Sequence, residues 1–283
     1  MKRIVLAIAL VVLFAVPAMA QNVDVTFNGE FWGVFASPSG ESNSFETYSP
    51  FTAAGSWWGI HPTEYSFVNL NGKVGNNLGF TYTYDVTFQE TDQVFGSFLP
   101  NAGAINEVRA GQFWLPIGLN EFFNTYGTGA AVLGKIGAFD YNLAYTSNNA
   151  LSIDNSALSL KVNTNMRLAR VGATAFHAAD DIDIFGVDAS TGIGPFGLKA
   201  EYLFANDYGN FKEKDFFLGG EYAYSDKTTF FVNYYNADYD GTSYDSNKVG
   251  FSYKINDNAN LRAMFVNGPI LGTGFEAALK TTF

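Results

Sequence analysis

From Val23 to the end of the chain, apolar and polar positions alternate. Val23, Val25, Phe27, Phe31 and Phe35 are separated by Asp24, Thr26, Asn28 and Glu30. Leu78, Phe80, Tyr82, Tyr84, Val86 and Phe88 alternate with Gly79, Thr81, Thr83, Asp85, Thr87 and Gln89. The same rhythm returns around Phe139–Tyr145, Phe196–Phe204 and Val249–Ile255. A period of two gives an extended strand one apolar and one polar face. No stretch after residue 22 holds a convincing helical period. The pattern predicts strands at 23–36, 64–74, 78–89, 93–100, 105–114, 128–136, 139–148, 157–163, 166–177, 182–190, 195–205, 215–224, 228–238, 246–255, 259–267 and 273–283. That is sixteen strands. The segment 93–100 is the least regular, and losing it with a neighbour would leave fourteen.

The connections also alternate. Short Gly/Asn/Asp turns fall at Gly75–Asn77, Asn101–Gly103, Gly137-Ala138, Thr164-Asn165, Gly192–Pro195, Ser225–Lys227 and Asn256–Asn258. Such pieces suit hairpins. Longer polar connections are expected at Ser37–Pro62 and Ala237–Ser246. Short turns at one end and long loops at the other describe a membrane-spanning, antiparallel, up-and-down β-barrel. A soluble sandwich also alternates. However, strands of ten to twelve residues suit a tilted bilayer crossing better than the usual five or six. Phe and Tyr near the strand ends fit interfacial girdles. Sixteen strands enclose an aqueous lumen, whereas eight are filled by side chains.

Ahead of the first strand, Lys2-Arg3, the apolar run Ile4–Val16 and Pro17-Ala18-Met19-Ala20 read as a cleaved secretory leader. The expected domains are a leader at 1–20 and one barrel at 21–283. Loss of Lys2 and Arg3 takes the net charge from −11 to −13. Charged residues are 15% and aromatic residues 17% of the chain, which argues against disorder. With no cysteine, a disulfide scaffold and a cysteine-ligated metal are excluded. The acidic balance disfavours nucleic acid as a partner.

The most distinctive stretch is Val108-Arg109-Ala110-Gly111-Gln112-Phe113-Trp114-Leu115-Pro116-Ile117-Gly118-Leu119-Asn120-Glu121. It resembles the V-R-x-G-Q-F-x-x-P-F-G-L-E segment of the phosphate-selective porin family of O and P type. Asp92-Gln93-Val94-Phe95 resembles that family's D-A-Y strand, and looser similarity runs over Leu78–Asn148. The final strand, closing on Phe283, resembles the assembly signal of bacterial outer-membrane barrels, which implies the barrel assembly machinery as a partner. The family implies a sixteen-stranded homotrimer whose third extracellular loop folds into the pore. Strand counting separately puts Leu115–Gly127 in the third long loop. The family's phosphate selectivity rests on a ladder of arginines and a lysine cluster. Beyond the leader this chain has only Arg109, Arg167, Arg170 and Arg262, so fold and loop position are carried over and phosphate specificity is not.

The polar phase supplies the candidate pore-lining or constriction residues Glu107, Arg109, Arg170, Lys199, Glu201 and Arg262, with Glu121 on the inserted loop. Opposed acids and bases would set up a transverse field across a constriction. Glu107 and Arg109 share one strand face, and an ion pair that only lines the wall is the plainer account of them. Phe122 and Phe123 would pin the loop to the wall. Trp57-Trp58 would anchor the rim. Asp238, Asp240 and Asp245 read as a solvated acidic loop rather than a cation site. The histidines are His61 and His177, and no hydrolase or phosphate-cradling motif occurs.

The sequence therefore predicts an all-β outer-membrane porin. It would pass small hydrophilic solutes and ions passively, without cofactor, metal or catalysis. Its acid excess would make it weakly selective or cation-preferring. The alternatives are a channel specific for phosphate, another oxyanion or a sugar, then a structural envelope barrel or a rim hydrolase.

Overall fold

The computed structural model describes residues 23–39, 43–46, 65–100, 103–119, 126–149, 156–179, 182–207, 211–269 and 271–283. Met1–Ala20, Trp57-Trp58, His61, Glu121, Phe122 and Phe123 lie outside the described residues.

The strands are β1 (Val23–Pro38), a three-residue β2 (Ser44–Glu46), β3 (Phe67–Val74), β4 (Leu78–Asp85), β5 (Glu90–Phe98) and β6 (Ile105–Trp114). They continue as β7 (Tyr126–Ile136), β8 (Phe139–Asn149), β9 (Ala157–Asn165), β10 (Arg170–Ala178), β11 (Ile182–Ile193) and β12 (Phe196–Asp207). The last five are β13 (Phe211–Ala223), β14 (Thr228–Tyr239), β15 (Thr242–Asn256), β16 (Ala259–Asn267) and β17 (Gly274–Thr282). From β3 to β17 each strand pairs antiparallel with the next. β1 closes the ring. Its Val23–Glu30 half pairs with β3, and its Glu30–Pro38 half pairs with β17. β2 only adds a short rung beside Val34–Ala36. The wall therefore has sixteen strands, and the weak segment at 93–100 is a true strand, β5.

Three of the differences from the sequence pattern alter a connection between strands. The turn expected at Thr164-Asn165 is Met166–Ala169, where Met166 N–H donates to Ala169 O at 2.7 Å. Thr164 and Asn165 extend β9 because they still pair with Val171 and Arg170. The long loop expected at Ala237–Ser246 is a two-residue hairpin. Asp240 and Gly241 hold φ of 50° and 85°, the mirror-image turn that Asp-Gly favours. β4 stops at Asp85, whose Oδ1 accepts Phe88 N–H at 2.8 Å and caps a four-residue turn to β5. Some extracellular links are therefore as short as the periplasmic ones.

The wall has two faces. Outward lie exposed Val25, Phe27, Leu143, Val187, Leu198 and Val232, as a lipid-facing band requires. At the periplasmic end Phe196 packs at a tilt against Tyr222, ring centres 5.0 Å apart, and Phe230 meets both Tyr224 and Phe251. These contacts form part of an aromatic girdle. The terminal Phe283 joins it beside Phe27 and Phe31, at 5.5 and 5.8 Å. Its ring fills the slot left by Gly29, where a Cβ would come within 2.6 Å of it. Backbone bonds in both directions between Gly29 and Phe283 seal the seam.

Candidate functional site

The inward face carries the polar phase of the strands. Most of its charges stand in opposite-sign pairs. Arg109 Nε and Nη2 donate to Glu107 Oε1 and Oε2 at 2.9 and 3.0 Å, and the guanidinium lies 4.9 Å from the Phe95 ring centre. Lys280 reaches Glu30 at 2.8 Å, Lys199 reaches Glu221 at 3.7 Å and Lys135 reaches Asp140 at 3.6 Å. Arg262 sits between the rings of Trp32 and Phe231, 5.8 and 5.1 Å from their centres.

After β6 the chain turns into the barrel. Leu115 and Ile117 are fully buried among inward residues that include Phe176, Ile184 and Leu203. A tight turn, Ile117 N–H to Leu115 O at 3.0 Å, starts the segment inward. Polar anchors then fix it to three strands. Gly118 N–H donates to Thr174 Oγ1 of β10 at 3.1 Å, Lys161 Nζ of β9 donates to Gly118 O, and Leu119 N–H donates to Glu201 Oε2 of β12. Gly118 adopts φ of +53°, and a Cβ there would lie 2.6 Å from the Glu201 carboxylate, so only glycine fits without movement. Asp188 stands 3.4 Å from Lys161 and balances its charge beneath the loop. At the loop's root, buried Asp92 accepts from Tyr65 Oη at 2.6 Å and from Trp114 Nε1 at 3.1 Å. Burial, then the Asp92 charge, pushes the Tyr65 hydroxyl well above its ordinary range, which keeps it a donor.

The seven candidate residues fall in different places. Glu107 and Arg109 are one lumenal pair. Arg262 lies on the wall made by β14, β16 and β1. Glu201 is buried and holds the loop, instead of facing the passage. Arg170 and Lys199 sit on one row, on the periplasmic side of the loop's Glu201 anchor. Glu121 lies outside the described residues. The pinning expected of Phe122 and Phe123 is done, among the described residues, by Leu115 and Ile117. Thr174 was not singled out from the sequence; Lys161 belongs to its polar phase without an assigned partner, and Gly118 was read only as part of the Val108–Glu121 stretch. The alternation of Leu115, Ile117 and Leu119 in a segment too short and Pro-broken to be a strand was the available signal.

Acids outside the lumen serve local structure. Asp238 Oδ1 accepts Gly241 N–H at 2.8 Å, and Asp240 Oδ1 accepts Lys212 N–H at 2.9 Å. Asp245 accepts from Tyr234 and Asn236. His177 pairs with Asp183 at 2.7 Å on the outer face, away from the passage.

A closed sixteen-stranded wall, with Leu115–Leu119 turned inward after β6, defines a diffusion channel of the bacterial outer membrane. The Gram-negative porin family model matches residues 7–267, and the chain belongs to that family. Solved structures share the fold at low identity. The outer-membrane protein OmpT of Vibrio cholerae is 12% identical with a TM-score of 0.68, over 93% of this chain and 99% of that one. A structure of in-vitro folded OmpT, in trimer form, is 13% identical with a TM-score of 0.67, over 93% and 100%. The anion-selective porin from Comamonas acidovorans is 13% identical with a TM-score of 0.69, over 93% and 100%. Among curated proteins none matches the chain.

Proposed function

We propose that this porin is a weakly selective passive channel whose lumen is narrowed by the segment 115–127. The observation that carries the reading is the docking of Leu115–Leu119 on β9, β10 and β12. A segment held there takes up lumenal cross-section, so solute size sets the main cut-off. Glu107, Arg109 and Arg262 line the passage and fix the local field, while Glu201 acts on it through the loop.

Weak selectivity follows from pairing. Lumenal Arg109, Lys280, Lys199 and Lys135 each stand beside an acid, so each pair presents little net charge to a passing ion. Glu201, Asp188 and Glu276 are buried in the wall, so part of the acid excess is withheld from lumenal water. The remaining excess on outer loops is screened beyond about a Debye length of 8 Å. The likeness of Val108–Glu121 to the phosphate-selective O and P type supports the loop position. With four arginines beyond the leader, it does not support a phosphate ladder. Removal of Met1–Ala20 on export, recognition of Phe283 by the assembly machinery and assembly as a homotrimer complete the reading. The trimer is supported by the trimeric form of OmpT. No catalytic step is assigned.

Single-channel recording of the refolded protein in a KCl gradient tests this. Discrete open steps with a reversal potential near zero are expected. A strongly cation- or anion-selective potential would overturn weak selectivity. A folded barrel without conductance would overturn the channel.

A further inference from the structure

One row of cross-strand partners runs Arg170, Ser190, Lys199, Gly219, Asn233 across β10 to β14. All five face the lumen. They line a recess of about 390 Å³ together with Phe217 and Glu221. Gly219 makes room for the Phe217 ring and Asn233, which come within 2.7 and 3.0 Å of where a Cβ would be, and at Gly197 no atom comes nearer than 3.6 Å to that position. It lies below the inserted loop, since Glu201, the loop's anchor, is two residues further toward the extracellular end of β12 than Lys199.

The charges lining this recess sum to a positive excess. Lys199 and Glu221 offset each other at 3.7 Å. The Arg170 side chain is exposed, and its guanidinium has no hydrogen-bond or ion-pair partner among the described residues. The recess therefore carries one net positive charge, on a planar guanidinium that matches a two-oxygen anion. Ser190 and Asn233 add neutral hydrogen-bonding groups on the same row. Glu221 opposes a second negative charge on the ligand. That favours a monoanion over phosphate groups, which carry about −1.5 to −2 at neutral pH.

We propose that this recess is a periplasmic-side binding station for small organic monocarboxylates, which the channel holds briefly as they pass. A station of this kind keeps such anions in the lumen without making the whole passage anion-selective. It rests on the channel reading above.

The test is lactate-induced current noise in the refolded full-length barrel, with sodium lactate added on either side at fixed KCl. The expected result is reversible partial block, with faster onset from the periplasmic side. Arg170→Gln should weaken it roughly 10–100-fold, the loss for a charge-assisted pair. Ser190→Leu, which fills the recess and leaves the guanidinium in place, should weaken it as well. Gel mobility with and without heating verifies that each variant is a closed barrel. Equal lactate block in wild type and both variants would overturn the proposal. So would block by inorganic phosphate stronger than by lactate. Open steps without lactate block would sink the station alone, whereas absence of open steps in the wild type would sink the channel reading itself.

Discussion

Gly118→Val attacks the inserted segment at its tightest point. Gly118 holds φ of +53°, and a Cβ there would sit 2.6 Å from Glu201 Oε2. A left-handed backbone costs a non-glycine residue about 1–2 kcal/mol, and β-branching adds to this. Displacing the Glu201 carboxylate also breaks its bond from Leu119 N–H, worth about 1.5–3 kcal/mol because the acceptor is charged. Together the docked state loses about 3–5 kcal/mol. Burial of Leu115 and Ile117 holds it with about 1.5–3 kcal/mol each. The two sums are similar, so the segment should leave and regain the wall during a recording. The assay is single-channel conductance in planar bilayers, which should show a larger mean step and added flicker. Gly137→Val is the control. It carries the same kind of backbone strain, at φ of +62°, in a turn with nothing within 4 Å of the new Cβ. If folded Gly118→Val barrels give the wild-type step and noise, docking at Gly118 does not govern the aperture.

Three further outcomes are expected. Glu107→Gln leaves Arg109 uncompensated and should move the reversal potential toward chloride; a unit charge about 10 Å from the ion path in water contributes about 0.4 kcal/mol, or about a twofold change in preference. Tyr65 has its folded pKa raised above the unfolded value, so its contribution is complete below about pH 10 and is lost as pH rises further. Tyr65→Phe should therefore flatten the alkaline fall in urea stability by up to about 1.4 kcal/mol per pH unit, compared between pH 9 and 11. Phe283→Ala removes two ring contacts worth about 0.5–1.5 kcal/mol each and should slow closure, read as the heat-modifiable gel band over refolding time.

The strands could be read because one face meets hydrocarbon and the other water, which forces a period of two into the residues themselves. Even β5, the least regular segment, has its place in the ladder between β4 and β6. The β14–β15 link was misjudged although Asp240-Gly241 is a strong local turn signal. The polar residues around it resemble a loop, yet they are strand positions extending past the lipid. The wall's charges were found by phase, but phase gives a face and not a depth or a partner. Glu201 has the same phase as Lys199, and the difference between them comes from Leu119, which lies 82 positions away in sequence. Arg170 and Lys199 share a row only through the register of β10 with β11 and β11 with β12. No local pattern encodes that.

The divided pairing of β1 makes completeness of the chain a condition for residence in the membrane. Its Phe31–Pro38 stretch pairs on that edge with Gly274–Thr281 of β17. A product cut short before them leaves two open backbone edges, one on β1 and one on β16, and hydrocarbon offers those groups no partner. Premature termination anywhere upstream therefore yields a chain that cannot settle as a leaky pore. Closure of the wall thus depends on one strand holding two neighbours that lie at opposite ends of the described chain.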